Sequence, residues 1–320
     1  MSKGLSPEAT KTVALIAGPT ASGKSDLAVD LALRLEAQGR RAVVVNADSA
    51  QVYRDLAVLS ARPSADDMRG IEHRLFGSWD GAQACSAADW AHAASGEIAA
   101  LHAEGAVPVL VGGTGLYVRT LLDGIAPVPE IDPAVREQVR ALPTPEAFAA
   151  LQGEDPERAA ALNPADTTRI ARALEVVRST GKPLGFWQER REGGIAAKID
   201  LHPLILLSDR ETLYQRCDAR FERMMDCGAI AEVEALLARD LAPALPVMRA
   251  IGVREIAGFL HGEWSREEAI LRGQQATRNY AKRQYTWFRN QPPQHWPRRE
   301  THDVSEEAFN VILCRDSRLT

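Results

Sequence analysis

The octapeptide GPTASGKS at residues 18–25 is the feature that most limits what this chain can fold into. It matches the phosphate-loop pattern G-x-x-x-x-G-K-[ST]. It lies between an apolar run at residues 13–17, predicted to be a strand, and a segment with helical spacing that ends at Gly39. A chance Gly/Ser-rich turn is the alternative, and the predicted strand and helix on either side argue against it. The pattern predicts a site for a diphosphate or triphosphate, and it leaves open whether that phosphate belongs to a nucleotide.

The chemistry of such a loop comes from backbone N–H groups at a helix N-terminus, where the unpaired donors and the helix dipole both favour an anion. Lys24 adds a positive charge, and the Ser25 hydroxyl is the predicted ligand of Mg²⁺. The predicted diphosphate-binding residues are Gly18, Pro19, Thr20, Ala21, Ser22, Gly23, Lys24 and Ser25.

Composition sets limits on the class of protein. With 320 residues, 45% of them hydrophobic, the chain is long enough for one large domain or two modest ones with a real core. The first residues are polar, and no apolar run reaches the roughly 18 residues of a membrane span, so we expect a cytoplasmic protein with no membrane association. Four cysteines, at positions 85, 217, 227 and 314, are too scattered for a metal pair or a disulfide framework and are expected to be reduced.

The net charge of −5 argues against a nucleic-acid partner, but residues 266–299 contain eight basic and two acidic residues. This segment is predicted to form a long helix with a stripe formed by Arg278, Lys282, Tyr285 and Arg289. On its opposite face we expect core residues, namely Ala276, Tyr280 and Trp287. A basic stripe with an aromatic ring suits an RNA backbone, whereas a solvated helix face is the alternative.

Two further predicted strands end in polar or glycine-rich turns. The strand at residues 42–45 leads to Asp48, which we expect near the phosphate loop because ligands gather at the carboxyl ends of parallel strands. An N-cap of a following short helix is the alternative role for Asp48. The strand at residues 107–111 leads to Gly112, Gly113 and Thr114, which either allow close approach to a ligand or form a tight corner.

The chain changes in character after Ala126, where prolines punctuate a stretch of predicted helices that continues to about Glu192. This change predicts an inserted subdomain at residues 128–192, flanked by a core formed from residues 1–127 and 193–320. Its clearest helix is predicted to begin after Asp166 and to end at Gly181. The buried stripe predicted for this helix contains Ile170, Ala173, Leu174 and Val177, which leaves Arg169 and Arg172 either solvated or in contact with a polyanion.

A further strand at residues 201–207 precedes a helix capped by Asp209, with Phe221, Met224 and Met225 as its expected core. Arg216, Arg220 and Arg223 are spaced i, i+4 and i+7 on this helix, so they lie on one stripe. Arginines in this arrangement clamp phosphate oxygens, and an exposed basic face is the alternative. Further along, Arg249 and Arg254 flank Gly252 in a loop that enters a helix.

Taken in order, the segments GPTASGKS, NADSAQVY, GGTGLYV, DTTRIARALEV, RAIGVRE and ATRNYAKRQYTWFR resemble the tRNA dimethylallyltransferase family, also called tRNA isopentenyltransferases. The resemblance implies an α/β fold: a P-loop kinase-like parallel sheet with a helical insertion subdomain that contacts tRNA. It also implies transfer of the dimethylallyl group from dimethylallyl diphosphate to N6 of the adenosine 3′ of the anticodon, with Mg²⁺. The partners are then the anticodon stem-loop of tRNA and the allylic diphosphate, and the protein is expected to be a monomer of the bacterial type that lacks a zinc finger.

The resemblance also assigns residues. It implies that Asp48 is the general base and that Thr20, Lys24 and Arg220 complete the catalytic set by holding the diphosphate. The tRNA-contacting residues that it implies are Asp48, Ser49, Ala50, Gln51, Thr114, Arg136, Thr168, Arg169, Ile170, Ala171, Arg172, Arg249, Ala250, Ile251, Gly252, Val253 and Arg254. Arg278 and Lys282 of the basic stripe are added to this set.

Three other functions compete with this prediction. A small-molecule kinase would share the phosphate loop and the arginine stripe, but the third predicted strand ends without an aspartate to hold Mg²⁺. A transferase that acts on free adenine nucleotides would have no use for the insertion and the basic helix. A non-catalytic RNA-binding module would leave the intact phosphate loop unexplained.

Overall fold

The structure, a computed structural model, describes residues 11–300, and its centre is a six-stranded sheet in which every pair of neighbouring strands is parallel. The strands are β1 (Thr12–Ala17), β2 (Ala42–Asn46), β3 (Glu72–Arg74), β4 (Val107–Gly112), β5 (Asp200–Leu206) and β6 (Arg298–Arg299). Their order across the sheet is β3-β2-β4-β1-β5-β6, which places β1 between β4 and β5. The phosphate loop therefore leaves the sheet near its middle.

Strands β1, β2 and β4 are buried along their whole length, as expected for a parallel sheet covered on both faces. The predicted strands at residues 13–17, 42–45, 107–111 and 201–207 agree with β1, β2, β4 and β5 to within a residue at either end. The edge strands β3 and β6 were not predicted, because their sequences EHR and RR have no apolar pattern. At the β3 edge of the sheet, Arg74 is ion-paired with Glu72 and Glu97.

Thirteen α-helices lie within residues 11–300. They are α1 (Lys24–Ala37), α2 (Ala65–Met68), α3 (Ala87–Ala103), α4 (Gly115–Asp123), α5 (Pro133–Ala141), α6 (Thr144–Glu154), α7 (Pro156–Ala160), α8 (Thr167–Thr180), α9 (Leu184–Gln188), α10 (Arg210–Asp226), α11 (Ala229–Leu237), α12 (Val253–Leu260) and α13 (Arg266–Asn290). Helix α1 begins inside the phosphate loop at Lys24, so the N–H groups at its start point toward that loop.

The chain divides into two compact units, one formed by residues up to Leu121 and from Ala196 onward, and the other by Leu122–Ile195. The second unit is helical, with a core of its own that includes Val139, Leu151 and Ile170. It extends beyond the expected bounds of 128 and 192. The reason is that its two ends pair through backbone hydrogen bonds between Ile125 and Glu192, at 2.9 and 3.0 Å.

Helix α8 agrees closely with its prediction. The Asp166 carboxylate accepts a hydrogen bond from the Arg169 N–H at 3.1 Å, and Gly181 ends the helix with a φ of 66°. Ile170, Ala173 and Leu174 are buried as expected, whereas Val177 is only partly buried and Glu175 is buried beside them.

The predicted core face of helix α13 is wrong. Instead of Ala276, Tyr280 and Trp287, the buried residues are Ala269, Gly273, Thr277, Ala281, Gln284 and Phe288. The reason is the close packing of α13 on α10, where a Cβ atom at Gly273 would overlap the Phe221 ring. Small and polar residues thus line the contact, and hydropathy alone assigned it to the wrong face.

Within residues 11–300, no helix combines the length and the apolar character needed to cross a membrane. Cys85, Cys217 and Cys227 are free thiols, and the first two are buried. Cys314 lies outside the described residues. The expectation of reduced cysteines therefore agrees with the three cysteines that the structure describes.

Candidate active site

The phosphate loop owes its shape to backbone conformations that the sequence permits. Gly23 has a φ of 82° immediately before α1, in the left-handed region that favours glycine. A Cβ atom at Gly18 would lie 2.6 Å from the Leu206 carbonyl oxygen, so only glycine fits where the loop leaves the sheet beside β5. Both constraints bring the loop and the start of α1 together at the carboxyl ends of β1 and β5.

Lys24 carries its charge in a place shielded from water. Its side chain is 8% exposed, and its ammonium donates a hydrogen bond to the Pro19 carbonyl oxygen at 3.2 Å. The pKa of Lys24 is lowered to about 8, mainly by burial; the Asp48 charge opposes this shift, and the Arg220 charge adds to it. Nearby, the buried Ser22 hydroxyl has no hydrogen-bond partner among the described residues. A buried cation and an unpaired hydroxyl are what a bound diphosphate would satisfy.

Arg220 of α10 reaches the phosphate loop, where its guanidinium donates a hydrogen bond to the Thr20 hydroxyl. Burial lowers the pKa of Arg220, as it does for Lys24. Arg216 and Arg223 line the same cavity, so the predicted arginine stripe faces the phosphate loop. The expected core residues of α10, Phe221, Met224 and Met225, are buried.

Asp48 follows β2 and is 7% exposed. Its Oδ1 accepts a hydrogen bond from the Ala50 N–H at 3.0 Å, which closes a turn, and residues 49–52 form turns instead of a helix. The N-cap interpretation of Asp48 is therefore wrong. The second carboxylate oxygen, Oδ2, lies beside Gly113, and the charge of Asp48 acts on both Lys24 and Arg220. One carboxylate oxygen is thus fixed by the turn, and the other faces Gly113.

At the Gly112–Gly113 pair, two segments of the protein's own backbone lie close together. A Cβ atom at Gly112 would overlap the Ala47 backbone, which lies at the end of β2 just before Asp48. The adjoining Thr114 hydroxyl accepts a hydrogen bond from the Ser49 N–H at 2.9 Å. Thr114 therefore holds the turn that contains Asp48, and the tight-corner interpretation of the glycines is the one that the structure supports.

These elements surround a cavity of about 920 Å³. The residues singled out from the sequence that line it are Thr20, Ala21, Ser22, Gly23, Lys24, Ser25, Asp48, Ser49, Ala50, Gln51, Arg216, Arg220, Arg223, Arg249, Ala250 and Ile251. Apolar lining comes from Leu56, Leu59, Phe221 and Met224. One part of the wall therefore carries cationic side chains, and another part is apolar.

Sequence reasoning missed two polar residues of α13 at this site. Tyr280, expected in the core, lines the cavity with its hydroxyl hydrogen-bonded to Thr114 and Ser49, and burial raises its pKa. Gln284 is 6% exposed, and its amide bonds to both the phosphate loop and the β4 turn. The available signal was a glutamine on the buried face of an amphipathic helix, where an unpartnered amide would be costly.

Residues 57–59, at the apolar wall of the cavity, are held by Glu232, a residue that was not predicted from the sequence to belong to the site. The Glu232 carboxylate of α11 accepts hydrogen bonds from the N–H groups of Ala57, Val58 and Leu59 at 2.7, 2.7 and 2.9 Å. The Gln51 amide also donates to the Ser60 and Ala61 carbonyl oxygens, at 3.1 and 2.9 Å. The donors of Gln51 are therefore used within the protein, which leaves its oxygen for any contact with RNA.

The chain that forms this site matches a known family of proteins. A family model described as IPP transferase matches residues 51–291, more than half of the chain. The chain belongs to the IPP transferase family. It is 68% identical to a protein named tRNA dimethylallyltransferase from Erythrobacter litoralis, over 94% of this chain and 95% of that one. A protein of the same name from Sphingopyxis alaskensis is 65% identical over 96% of this chain and 100% of that one.

Solved structures support the IPP transferase fold. The tRNA isopentenylpyrophosphate transferase from Bacillus halodurans has a TM-score of 0.67 and 30% identity, with 96% of each chain covered. A eukaryotic dimethylallyltransferase acting on tRNA has a TM-score of 0.74 and 28% identity, with 87% of this chain and 70% of that chain covered. The predicted P-loop kinase-like α/β fold is confirmed.

In the helical unit of this IPP transferase, the side chains predicted to contact tRNA are placed unequally. Arg136, Thr168 and Arg169 are exposed, and Arg169 has 72% of its side chain accessible. Ala171 is partly buried, whereas Ile170 is fully buried in the helical core, so the prediction that it contacts tRNA is wrong for its side chain.

Arg172 belongs to a group of arginines around one buried carboxylate. Its guanidinium lies 3.9 Å from Glu175, and Arg140 donates to the same carboxylate at 2.9 Å. Burial lowers the pKa of Arg172, and the charges of Arg136 and Arg140 lower it further. Since Arg140 and Arg172 share one carboxylate and the charge of Arg136 also acts on Arg172, this face of the helical unit carries excess positive charge.

The remaining predicted tRNA-contacting residues also divide by burial. Arg249 lines the cavity and donates to the Ala244 carbonyl oxygen, and Arg254 is exposed. Gly252 begins α12 with a φ of 96°, and a Cβ atom there would lie 2.5 Å from the Leu59 side chain. Val253 is buried, so the side chain of Val253 packs in the core instead of reaching a ligand.

The predicted basic stripe of α13 is only partly available. Arg278 donates to both carboxylate oxygens of Asp218 at 2.6 Å, so its charge is neutralised within the protein. Tyr285 packs beside Leu213 and lies under the Arg210 guanidinium. Lys282 remains exposed on the same helix. Arg278 and Tyr285 thus have partners within the protein, and contact of Arg278 and Lys282 with RNA stays a prediction.

The residues of the phosphate loop fit a magnesium ion that is held mostly by non-protein oxygens. Ser25, the predicted ligand, lines the cavity at the start of α1. No cluster of three His, Cys, Asp or Glu side chains suited to a metal occurs within residues 11–300. Mg²⁺ commonly takes one or two protein ligands and completes its shell with water and phosphate oxygens, which this wall allows.

Proposed function

We propose that this chain transfers the dimethylallyl group of dimethylallyl diphosphate to N6 of the adenosine 3′ of the anticodon in tRNA, with release of diphosphate. The observation that carries the proposal is one cavity in which Lys24, Arg220 and the phosphate loop face the carboxylate of Asp48. Relatives at 68% and 65% identity with the name tRNA dimethylallyltransferase support the choice of donor and acceptor.

The chemistry requires a strong electrophile, because the lone pair of the adenine N6 is delocalised into the ring and the amine is a poor nucleophile. Breaking the C–O bond between the allylic carbon and the diphosphate makes that carbon electrophilic. Lys24, Arg220 and the N–H groups at the start of α1 stabilise the charge that accumulates on the leaving diphosphate. Each such preorganised donor is worth about 3 kcal/mol of barrier.

The Thr20 hydroxyl positions this cationic group, because it accepts the hydrogen bond from Arg220 at the edge of the loop. The Ser25 hydroxyl would hold Mg²⁺ together with diphosphate oxygens. When bound, the ion supplies Lewis-acid stabilisation of the departing diphosphate.

Asp48 accepts the proton that N6 loses as the C–N bond forms. Its Oδ1 is engaged by the Ala50 N–H, and the adjoining turn is held by Thr114, so Oδ2 is presented in a fixed orientation. A positioned general base contributes roughly 10²- to 10⁴-fold to a rate. The proton acceptor and the anion site thus lie on the wall of one cavity.

The acceptor base must leave its stack to reach a carbon held within the protein, as in other enzymes that act on a nucleobase. The apolar lining from Leu56, Leu59 and Met224 suits both the allyl group and a base, and it limits the access of water to the reactive carbon. The tRNA backbone would be held by exposed cations that include Arg136, Arg169 and Lys282. A monomer acting in the cytoplasm is part of the proposal.

The test is an incubation of the purified protein with Mg²⁺, radiolabelled dimethylallyl diphosphate and undermodified tRNA. Parallel reactions replace tRNA by AMP, or replace the allylic donor by labelled ATP. We expect label in tRNA at the adenosine beside the anticodon and none in AMP. Consumption of ATP without label in RNA would support a kinase instead, and label in AMP would support a transferase for free nucleotides.

A further inference from the structure

We propose that Gln284 is a positioning residue for the transfer reaction, one that fixes the phosphate loop relative to the turn that holds the general base. The inference rests on the proposed function and adds a residue to its machinery. Gln284 lies on the buried face of α13, and its two amide atoms bond to two different loops at the carboxyl end of the sheet.

The geometry defines both bonds. The Oε1 atom accepts a hydrogen bond from the Thr20 N–H at 2.8 Å, and the Nε2 atom donates to the Gly113 carbonyl oxygen at 2.7 Å. An N–H can only donate and a carbonyl can only accept, so the amide has one productive orientation. Because the side chain is almost fully buried, losing either bond would leave a buried polar atom unpaired.

Each of the two loops contacts a residue that takes part in the proposed reaction. Thr20 binds Arg220 through its hydroxyl, and that arginine belongs to the site of the leaving group. Gly113 lies against Asp48, since a Cβ atom built on Gly113 would be 3.3 Å from Asp48 Oδ2 and would overlap Gln284 Nε2. A single amide therefore sets the distance between the anion site and the proton acceptor.

The backbone itself barely joins the loops at the ends of β1 and β4, so a side chain from α13 is needed to connect them. The loops at the ends of β1 and β4 have left the sheet, and only one backbone hydrogen bond, from Gly18 N–H to the Gly112 carbonyl oxygen at 3.4 Å, joins them among the described residues. Trp287 of the same helix packs so closely on Gly115 that a Cβ atom there would overlap the indole ring. Helix α13 is thus seated against the β4 turn, which places Gln284 between the loops.

The test compares Gln284→Met and Gln284→Glu with the wild-type protein in label transfer from dimethylallyl diphosphate to tRNA, between pH 6 and pH 9. Methionine has a similar volume and neither polar atom. A carboxylate accepts from the Thr20 N–H but repels the Gly113 carbonyl oxygen, whereas a protonated carboxyl group makes both bonds. Gln38→Glu on the exposed end of α1 is the matched control for the change of charge.

We expect Gln284→Met to lower kcat by roughly 10- to 100-fold at every pH, since a displacement of about 1 Å at a reacting centre costs up to that much. The kcat of Gln284→Glu relative to wild type should rise as the pH falls, because protonation restores the bond to Gly113. Asp48, Tyr280, Lys24 and Arg220 are the charged and ionisable groups that surround the site, and all of the compared proteins contain them, so the kcat ratio reports the change at residue 284. Gln38→Glu should show a constant ratio near one.

Titration with inorganic pyrophosphate and thermal unfolding separate the possible failures. We expect weaker pyrophosphate binding by Gln284→Met and partial recovery by Gln284→Glu at low pH. Wild-type kcat in Gln284→Met, or a Gln284→Glu ratio that does not change with pH, would overturn the role of Gln284. If wild-type protein transfers no label, the proposed function fails, and the pyrophosphate titration alone then decides whether Gln284 positions the loop.

Discussion

The arginines of the cavity and those of the helical unit show how one residue type serves two purposes. Arg220 is buried against the phosphate loop, where its pKa is lowered and its hydrogen bond to Thr20 fixes the guanidinium. Arg136, Arg140 and Arg169 are exposed, and two of them are paired with nearby carboxylates. In the shielded cavity, a cation interacts strongly with negative charge that develops close to it. The electrostatic interactions of exposed cations are weaker, add together and decrease as the salt concentration rises.

Substitutions in the two regions should therefore change different measured quantities. Changes in the cavity should alter kcat and the affinity for diphosphate. Changes on the exposed faces should alter the affinity for tRNA and its dependence on salt, with little effect on kcat at saturating tRNA.

The largest effect is expected from Asp48→Asn. Asparagine keeps an oxygen for the Ala50 N–H, so the turn survives while the proton acceptor is lost. We expect kcat to fall by roughly 10²- to 10⁴-fold with unchanged tRNA affinity, measured by steady-state label transfer and filter binding. Asp26→Asn, an exposed carboxylate on the same cavity wall, is the control. Near wild-type turnover of Asp48→Asn would remove Asp48 from the role of base.

The next effect concerns pH. Because folding lowers the pKa of Lys24 from 10.5 to about 8, mainly by burial, the unfolded chain binds that proton more tightly. The stability of the ligand-free protein should therefore rise as the pH increases from about 8 to 10.5, and Lys24→Met should lack this rise in a series of melting temperatures.

The same protonation should govern the binding of diphosphate. Above pH 8, where Lys24 begins to lose its charge, the advantage of wild type over Lys24→Met in pyrophosphate affinity should shrink by up to about tenfold per pH unit. Calorimetric titration measures both dissociation constants, and their ratio cancels the titration of pyrophosphate itself. An advantage that stays constant to pH 10 would show that the charge of Lys24 is not used in binding.

A moderate effect is expected from the double substitution of Arg136→Ala and Arg169→Ala on the helical unit. Loss of two phosphate contacts should weaken tRNA binding and reduce the slope of log affinity against log salt by about 1 to 2, with kcat preserved at saturating tRNA. Arg178→Ala is the control, because Arg178 in the same unit is engaged by Glu154 at 2.7 Å. An unchanged salt slope in the double variant would indicate that Arg136 and Arg169 are solvated and do not contact tRNA.

The smallest effect separates two residues of α13. Lys282→Ala should reduce the salt slope of tRNA binding by about 1. Arg278→Ala should leave that slope unchanged and instead lower the free energy of unfolding by up to about 1 kcal/mol, because it removes the ion pair with Asp218. Filter binding at several salt concentrations and denaturant unfolding measure the two quantities. A reduced slope in Arg278→Ala would mean that tRNA breaks the pair with Asp218.

The phosphate loop, the turn of Asp48 and the arginine stripe of α10 were located from the sequence because each is encoded by neighbouring residues. A glycine at a positive φ, as at Gly23, and arginines at helical spacing are short-range features, and their placement along one cavity agrees with the prediction. Strand β3 was not predicted because its sequence, EHR, carries no such local pattern. The strand is defined only by its pairing with β2.

Errors on α13 and α8 come from packing that periodicity does not report. Apolar Tyr280 and Trp287 suggested a core face, yet the contact with α10 is made through Gly273 and its neighbours, where bulk is excluded. Ile170 lay within a segment predicted to contact tRNA, but its side chain points into the helical core. A contiguous stretch of a helix always presents residues to both sides.

The sequence by itself determined the P-loop kinase-like fold class, the position of the phosphate loop and the family, because these depend on ordered local motifs. Only the tertiary structure decided how the two halves of the site are joined. Gln284 meets Thr20 across 264 residues of chain and Gly113 across 171, and no local pattern specifies such a meeting. It depends on the closeness with which α13 packs on α10 and on the β4 turn, which is a property of the assembled core.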